Sequence, residues 1–203
     1  RERLPESGID VLADSTKVVA TGYGRVAVDF ADYVITEITC HGRGGREIAG
    51  ENCGIIDVGG QDTKVILVEH GMVKDFLMND KCSAGTGKFL EIMANRLGVT
   101  LQELFEMAES GTVLPISSLC TVFAESEVIN YIGEGHKRED IAAGVVDSVA
   151  AKVCQLAQRK ELPDKVILTG GISNSTYFTR ILSEKIGRTV EPTEDGRYAG
   201  ALG

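Results

Sequence analysis

This 203-residue sequence predicts an α/β fold, and three observations carry the prediction. Short apolar runs of strand length alternate with longer stretches whose apolar residues recur at helical spacing. Glycine pairs stand directly behind two of the apolar runs, at Gly59-Gly60 and Gly170-Gly171. The order is strand-rich, then helix-rich, then strand–Gly–Gly–helix, and open α/β sheets bind phosphates at such turns.

The first apolar run, Val18 to Ala20, closes on Thr21-Gly-Tyr-Gly24 and reads as a strand with a glycine turn. Residues 33–49 mix apolar and polar positions. Gly42, Gly44 and Gly45 withhold a helix assignment there, because each costs about 1 kcal/mol against alanine in a helix interior. Three strands then form a meander: residues 54–57, 64–69 and 72–78, joined through Val58-Gly-Gly-Gln-Asp-Thr63 and through His70-Gly71. Asn79-Asp-Lys-Cys-Ser-Ala-Gly-Thr-Gly87 leads into a helix carrying Phe89, Leu90, Ile92, Met93 and Leu97, stopped by Gly98. Residues 100–109 read as a second helix. After Pro115, the run to Cys120 precedes a third, with Val122, Phe123, Val128, Ile129 and Ile132. Residues 141–158 form the longest helix. The buried strand 166–168 meets Thr169-Gly170-Gly171, a helix through 177–186 follows, and a short strand lies near 189–191. The segment Tyr198 to Gly203 reads as the opening of one more helix, cut short.

Composition narrows the function classes. At 43% hydrophobic and 25% charged, the chain has enough apolar surface to fold. Its net charge of −9 and short, acid-interleaved basic clusters argue against nucleic acid as a partner. No apolar run approaches the roughly 20 residues of a membrane span, and no signal core follows Arg1-Glu-Arg3, so a cytoplasmic setting is expected. Five cysteines without a CxxC pair make a poor disulfide framework.

Several residues can carry chemistry. In Asp57-Val-Gly-Gly-Gln-Asp62, the glycines let a polyphosphate approach the backbone, and Asp57 or Asp62 can hold Mg²⁺ through water. The bland alternative is a tight turn with solvated acids. Gly170-Gly171 is a second such turn, with a close-packed junction as its alternative. Neither matches the P-loop pattern. Cys82 and Cys120 each precede an amphipathic helix, whose positive end favours a thiolate and an anionic centre. An iron–sulfur cluster usually takes four cysteines, which a two-fold dimer would supply; a small buried hydrophobe is the other reading of each. Cys154 reads as core. Cys40-His41 leaves a site histidine and a structural histidine both open, with the structural one preferred. Glu125 and Glu127 read as a polar helix face.

The segments ATGYGR (20–25), EITCHGRG (37–44), IIDVGGQDTKVI (55–66), MNDKCSAGTGKFLEIMANRLG (78–98), SSLCTVFAESEVI (117–129) and ILTGGISNS (167–175) together resemble the ATPase activators of 2-hydroxyacyl-CoA dehydratases and benzoyl-CoA reductases. The resemblance runs through nearly the whole chain. It implies an actin-like α/β fold with a remainder of a first lobe over 1–50, a second lobe over 51–190, and a C-terminal helix starting in 191–203. It implies ATP or ADP with Mg²⁺ in a cleft, phosphate contacts at Gly59, Gly60, Gln61 and Asp62, an adenosine-side loop at Gly170 and Gly171, and Asp62 and Gln61 as catalytic groups. It also implies a homodimer sharing one oxygen-sensitive 4Fe–4S cluster through Cys82 and Cys120, fed by ferredoxin or flavodoxin. The electron's destination would be an acyl-CoA dehydratase, or a reductase of the benzoyl-CoA or double-cubane type. An actin-like kinase or nucleotide sensor without a cluster is the rival reading. One departure stands out: Asp14-Ser-Thr-Lys17 has no strand and glycine turn before it, so the family's first phosphate loop is expected to lie ahead of this sequence.

Overall fold

The computed structural model describes residues 8–10, 13, 15–117 and 120–203. Asp14 therefore lies outside the described residues, as do Ser118 and Leu119 ahead of Cys120. Two short strands, β1 (Val19–Ala20) and β2 (Tyr33–Val34), pair in parallel. The glycine turn after β1 runs on into a 3-10 turn over Tyr23–Ala27.

The main sheet has four strands: β3 (Cys53–Val58), β4 (Thr63–Glu69), β5 (Met72–Asn79) and β6 (Val166–Gly170), in the order β5-β4-β3-β6. The meander β3-β4-β5 is antiparallel, and β6 joins β3 in parallel. Every residue of β3 is buried, because both faces of the sheet are covered. The expected strand near 189–191 is reduced to a single bridge, Ile167 to Glu191.

On one face lie α2 (Gly87–Leu97), α3 (Leu101–Ser110), α4 (Thr121–Gly133), α5 (Arg138–Ala157) and α6 (Thr176–Ile186). Ile56, Val58 and Val65 from the sheet join Phe89, Leu104, Ile141, Val149 and Phe178 in the larger core there. The N-terminus of α3 is a capping box: Thr100 accepts from the Glu103 N–H, and the Glu103 carboxylate accepts from the Thr100 N–H. Cys154 packs in this core, as its neighbours in sequence suggest.

The other face is covered by α1 (Glu37–Ala49), over Ile55, Ile66, Val68 and Ile167. Three glycines made this helix illegible in the sequence, and packing explains them. A Cβ on Gly42 would meet Val73 Cγ2 at 2.2 Å, and one on Gly45 would meet Ile55 Cδ1 at 2.1 Å. A Cβ on Gly44 would sit 1.8 Å from the Ala199 carbonyl of α7 (Ala199–Leu202). The glycines let α1 sit flat on the sheet and α7 cross it closely, so tertiary burial outweighs their weak helix propensity. α1 and the sheet thus share one core across residue 50.

Candidate functional site

Register builds the site. Successive strand residues point to opposite faces, so Cys53, Ile55 and Asp57 face α1 while Ile56 and Val58 face α5. Asp57 pairs with Lys64 on β4 and with Thr169 on β6. One row across three strands therefore reads Lys64, Asp57, Thr169, all buried and all at the end of β3 where the chain turns through Gly59-Gly60. Helix α1 lays Glu37 and His41, one turn apart, over the same row.

The contacts are dense. The Lys64 ammonium, 1% exposed, donates to Glu37 Oε1 at 2.9 Å, to Asp57 Oδ2 at 3.3 Å and to Asp62 Oδ1. Thr169 donates its hydroxyl to Asp57 Oδ1 at 2.9 Å, and His41 Nε2 lies 3.2 Å from the same oxygen. His41 Nδ1 faces the Glu37 carbonyl at 3.3 Å. Both ring nitrogens thus face acceptors, which favours the imidazolium. Asp62 Oδ2 is buried with no partner.

Burial alone would raise the Asp57 pKa, but the bond and charge of His41, the charge of Lys64 and the Thr169 hydroxyl lower it to about 2. Burial would lower Lys64, yet Asp57, Asp62 and Glu37 together raise it well above the ordinary lysine value. His41 behaves alike: burial pulls it down and Asp57 more than restores it, so it ends above 6.5.

These shifts set a pH dependence. A depressed carboxylate stabilises the fold above its unfolded value and loses that contribution as pH falls through its folded value. Asp57 should therefore contribute on the order of 2 kcal/mol near neutrality, by the shift from 3.8 to about 2. The contribution should fade between those two values. The raised His41 acts in reverse: its contribution is full below 6.5 and fades as pH rises through its folded value. Thermal melts between pH 2 and 5 should show an acid limb that Asp57→Asn removes, and an identical limb in both proteins would remove Asp57 from this role.

The glycine turns flank the row. Gly59 N–H closes onto the Asp62 carbonyl at 3.0 Å, which makes the loop a tight turn and turns the Asp62 side chain inward to Lys64. Gln61 and Gly60 are exposed, and no atom lies within 4 Å of where a Cβ on Gly60 or Gly171 would sit. Gly170 has φ +93°, and a Cβ there would meet the Val58 carbonyl at 2.2 Å; only glycine lets β6 turn so tightly against β3. Beyond Gly171 opens a cavity of about 640 Å³ lined among others by Phe105, Gln102, Asn174, Tyr177 and Arg197.

Hydrogen bonds also tie this turn to the cysteine segment. Gly87 N–H donates to the Gly59 carbonyl at 2.8 Å and Lys88 N–H to the Gly60 carbonyl at 3.0 Å. The Thr63 hydroxyl donates to the Gly85 carbonyl at 2.6 Å. The first helical turn of α2 thus spends N–H groups on the glycine loop. Cys82 sits further back than the sequence suggested, ahead of a turn closed by Thr86 onto the Ser83 carbonyl. Cys120 is itself the N-cap residue of α4. Both cysteines are half-buried, and no disulfide links any of the five. Ser83 and Thr121, the residues that follow them, share a hydroxyl–hydroxyl bond of 2.8 Å, so the two segments lie side by side. Asn79 Nδ2 holds the Cys82 carbonyl at 2.9 Å, Arg96 of α2 holds Glu125 of α4 at 2.6 Å, and Glu127 accepts from the Ser117 N–H at 2.6 Å. Of the two acids of the FAESE stretch, Glu127 therefore fastens the segment ahead of Cys120, and Glu125 ties α4 to the end of α2.

Sequence reasoning missed Glu37, set His41 aside as structural, and left Lys64 unmentioned as a site residue. The legible signal was Glu37 and His41 at i and i+4, which share a face only once the segment is known to be helical. Among the described residues, Glu37, His41 and Asp57 form a trio with metal-ligand spacing.

The chain is 45% identical over 192 residues to the activator of lactoyl-CoA dehydratase from Anaerotignum propionicum, covering 94% of this chain and 74% of that one. It is 44% identical to the (R)-2-hydroxyglutaryl-CoA dehydratase activating ATPase of Acidaminococcus fermentans, with the same coverage. The solved activator of 2-hydroxyisocaproyl-CoA dehydratase from Clostridium difficile, with bound ADPNP, superposes with a TM-score of 0.91 at 40% identity, over 99% of this chain and 75% of that one. The fold is accordingly the actin-like α/β ATPase fold. No helix among the described residues is long and apolar enough to cross a membrane. With the pattern of the BadF/BadG/BcrA/BcrD ATPase family matched over residues 4–203, the chain belongs to that family.

Proposed function

We propose that this chain is an ATP-driven electron donor that activates an acyl-CoA dehydratase or a related reductase. In this reading two copies share one 4Fe–4S cluster through Cys82 and Cys120 of each. The observation that carries it is the bonded track from Gly59 and Gly60 to Gly87 and Lys88, from Thr63 to Gly85, and from Ser83 to Thr121. A shift of the phosphate turn must move the Cys82 segment with it.

The residues take these roles. Gly60 admits the phosphates closely, Gly59 shapes the turn, Gly170 turns the chain at the end of β6, and Gly171 borders the cavity that takes the nucleoside. Asp57 and Asp62 hold Mg²⁺ through its waters, while Asp62 and Gln61 orient the attacking water; the unpartnered Asp62 Oδ2 suits that task. Cys82 and Cys120 fit a cluster as donors: two half-buried sulfurs on adjacent segments, one of them at a helix N-terminus that favours thiolate. When bound, the cluster supplies one-electron transfer at low potential. The exposed face of α4, with Val122 and Phe123 beside Cys120 and Ile129 and Ile132 beyond, suits a second copy.

Purification without oxygen tests the proposal. The expected product is a brown dimer with about four iron per pair of chains, bleached by air. A colourless, iron-free protein that still binds ADP would sink the electron-donor reading and leave a nucleotide-binding ATPase.

A further inference from the structure

The ligand atoms of Glu37, His41 and Asp57 all lie within 4.8 Å of one another, a spacing that suits a divalent cation. That space already holds a cation. Lys64 Nζ stands 2.9 Å from Glu37 Oε1 and 3.3 Å from Asp57 Oδ2, and it also bonds Asp62. Its side chain is almost wholly buried. It cannot be a solvated lysine that happens to lean inward, because the strand register places it opposite Asp57.

We propose that Lys64 is a built-in counter-ion that keeps divalent metal out of this site until a nucleotide brings it. The inference rests on the nucleotide-site reading above. A bare Mg²⁺ or Mn²⁺ approaching the trio meets the Lys64 ammonium at contact distance from Glu37 and Asp57 and must displace the ring proton that His41 holds between its two acceptors, and like charges inside a low-dielectric site repel strongly. A nucleotide's phosphates add the negative charge that offsets the ammonium, so the metal enters as the nucleotide complex. Asp62 fits this order of events. One of its oxygens is committed to Lys64, and the other, buried and unpartnered, is left to accept from the water that attacks once the nucleotide complex is in place. The lysine also holds three carboxylates in place that would otherwise repel one another, so the site is formed before the nucleotide arrives.

The experiment is a Mn²⁺ titration of the whole nucleotide-free chain, read by the loss of the free-ion electron paramagnetic resonance signal. Native protein should leave the free-ion signal intact. Lys64→Met, which keeps the stem and removes the charge, should bind one Mn²⁺ per chain at least about a hundredfold more tightly, with excess Mg²⁺ competing it off. Tight Mn²⁺ capture by the native chain, or no gain in Lys64→Met, overturns the proposal. If Lys64→Met folds only with metal present, Mn²⁺ during refolding should restore it, which supports the proposal. If metal does not restore it, the charge-balanced double variant Lys64→Met/Asp62→Asn carries the same expectation, and the absence of a gain there overturns it. Adding ADP to the native chain separates the two readings. Failure of ADP to bring Mn²⁺ onto the native protein strikes the nucleotide-site assignment, whereas the comparison of bare native and variant chains tests Lys64 alone.

Discussion

Cys82→Ser, prepared without oxygen, should yield a colourless protein with its iron lost, while ADP affinity stays within about a factor of three of the native value. Serine keeps the shape of the segment but offers a hydroxyl, which stays protonated at neutral pH and is a poor ligand for iron that wants thiolate. The local structure should survive the change. Asn79 holds the carbonyl of residue 82, Thr86 closes the turn behind it, and Ser83 bonds Thr121, and none of these contacts uses the sulfur. Cys120→Ser should do the same from the other segment, since serine is also a good N-cap. Cys154→Ser is the control: its sulfur packs in the core of α5 and donates to the Lys185 carbonyl, so it should lower stability and keep the iron. Iron retained in either of the first two variants would end the ligand assignment. Lost iron together with lost ADP binding would mean that the segment supports the nucleotide site directly.

The sequence showed the sheet, the five helices of the α5 side and both glycine turns, because each rests on local period and punctuation. What it hid depends on contacts between distant residues. Asp57 and Lys64 are partners only through the β3–β4 register. Glu37 and His41 reach Asp57 only because α1 is a helix, and α1 was unreadable because its glycines serve packing against Val73, Ile55 and Ala199. A propensity argument counts those glycines as a cost and cannot see what they fit. The cysteine pair was legible as two special residues, but their adjacency rests on Ser83 meeting Thr121 across 38 residues of chain. The helix-start argument was too simple for Cys82, since the N–H groups opening α2 go to the Gly59 and Gly60 carbonyls. That difference strengthens the link between turn and cysteine, because the helix end is bonded to the glycine turn itself.

Asp57→Asn should give the largest loss at the nucleotide site: ATP turnover should fall by about a hundredfold or more, with the cluster intact. The carboxylate stands at the centre of the row, 2% exposed, with His41 and Thr169 on one oxygen and Lys64 on the other. Asparagine keeps the volume but removes the charge that holds two cations, and its amide group must present two N–H donors to partners that are already donors. One of Lys64 or His41 must then turn away or lose its proton. Breaking a buried ion pair from one side costs about 3 kcal/mol, so the variant should also melt at lower temperature. Asp62→Asn should be milder in stability, because Asp62 shares Lys64 with two other acids, yet it should slow hydrolysis by taking the free buried oxygen from the attacking water. The two variants therefore separate holding the site together from orienting the water. Asp57→Asn should depress both melting temperature and turnover, and Asp62→Asn mainly turnover. If Asp57→Asn hydrolysed ATP at the native rate, the row Lys64, Asp57, Thr169 would be a structural clasp, and the hydrolytic centre would have to lie elsewhere in the cleft.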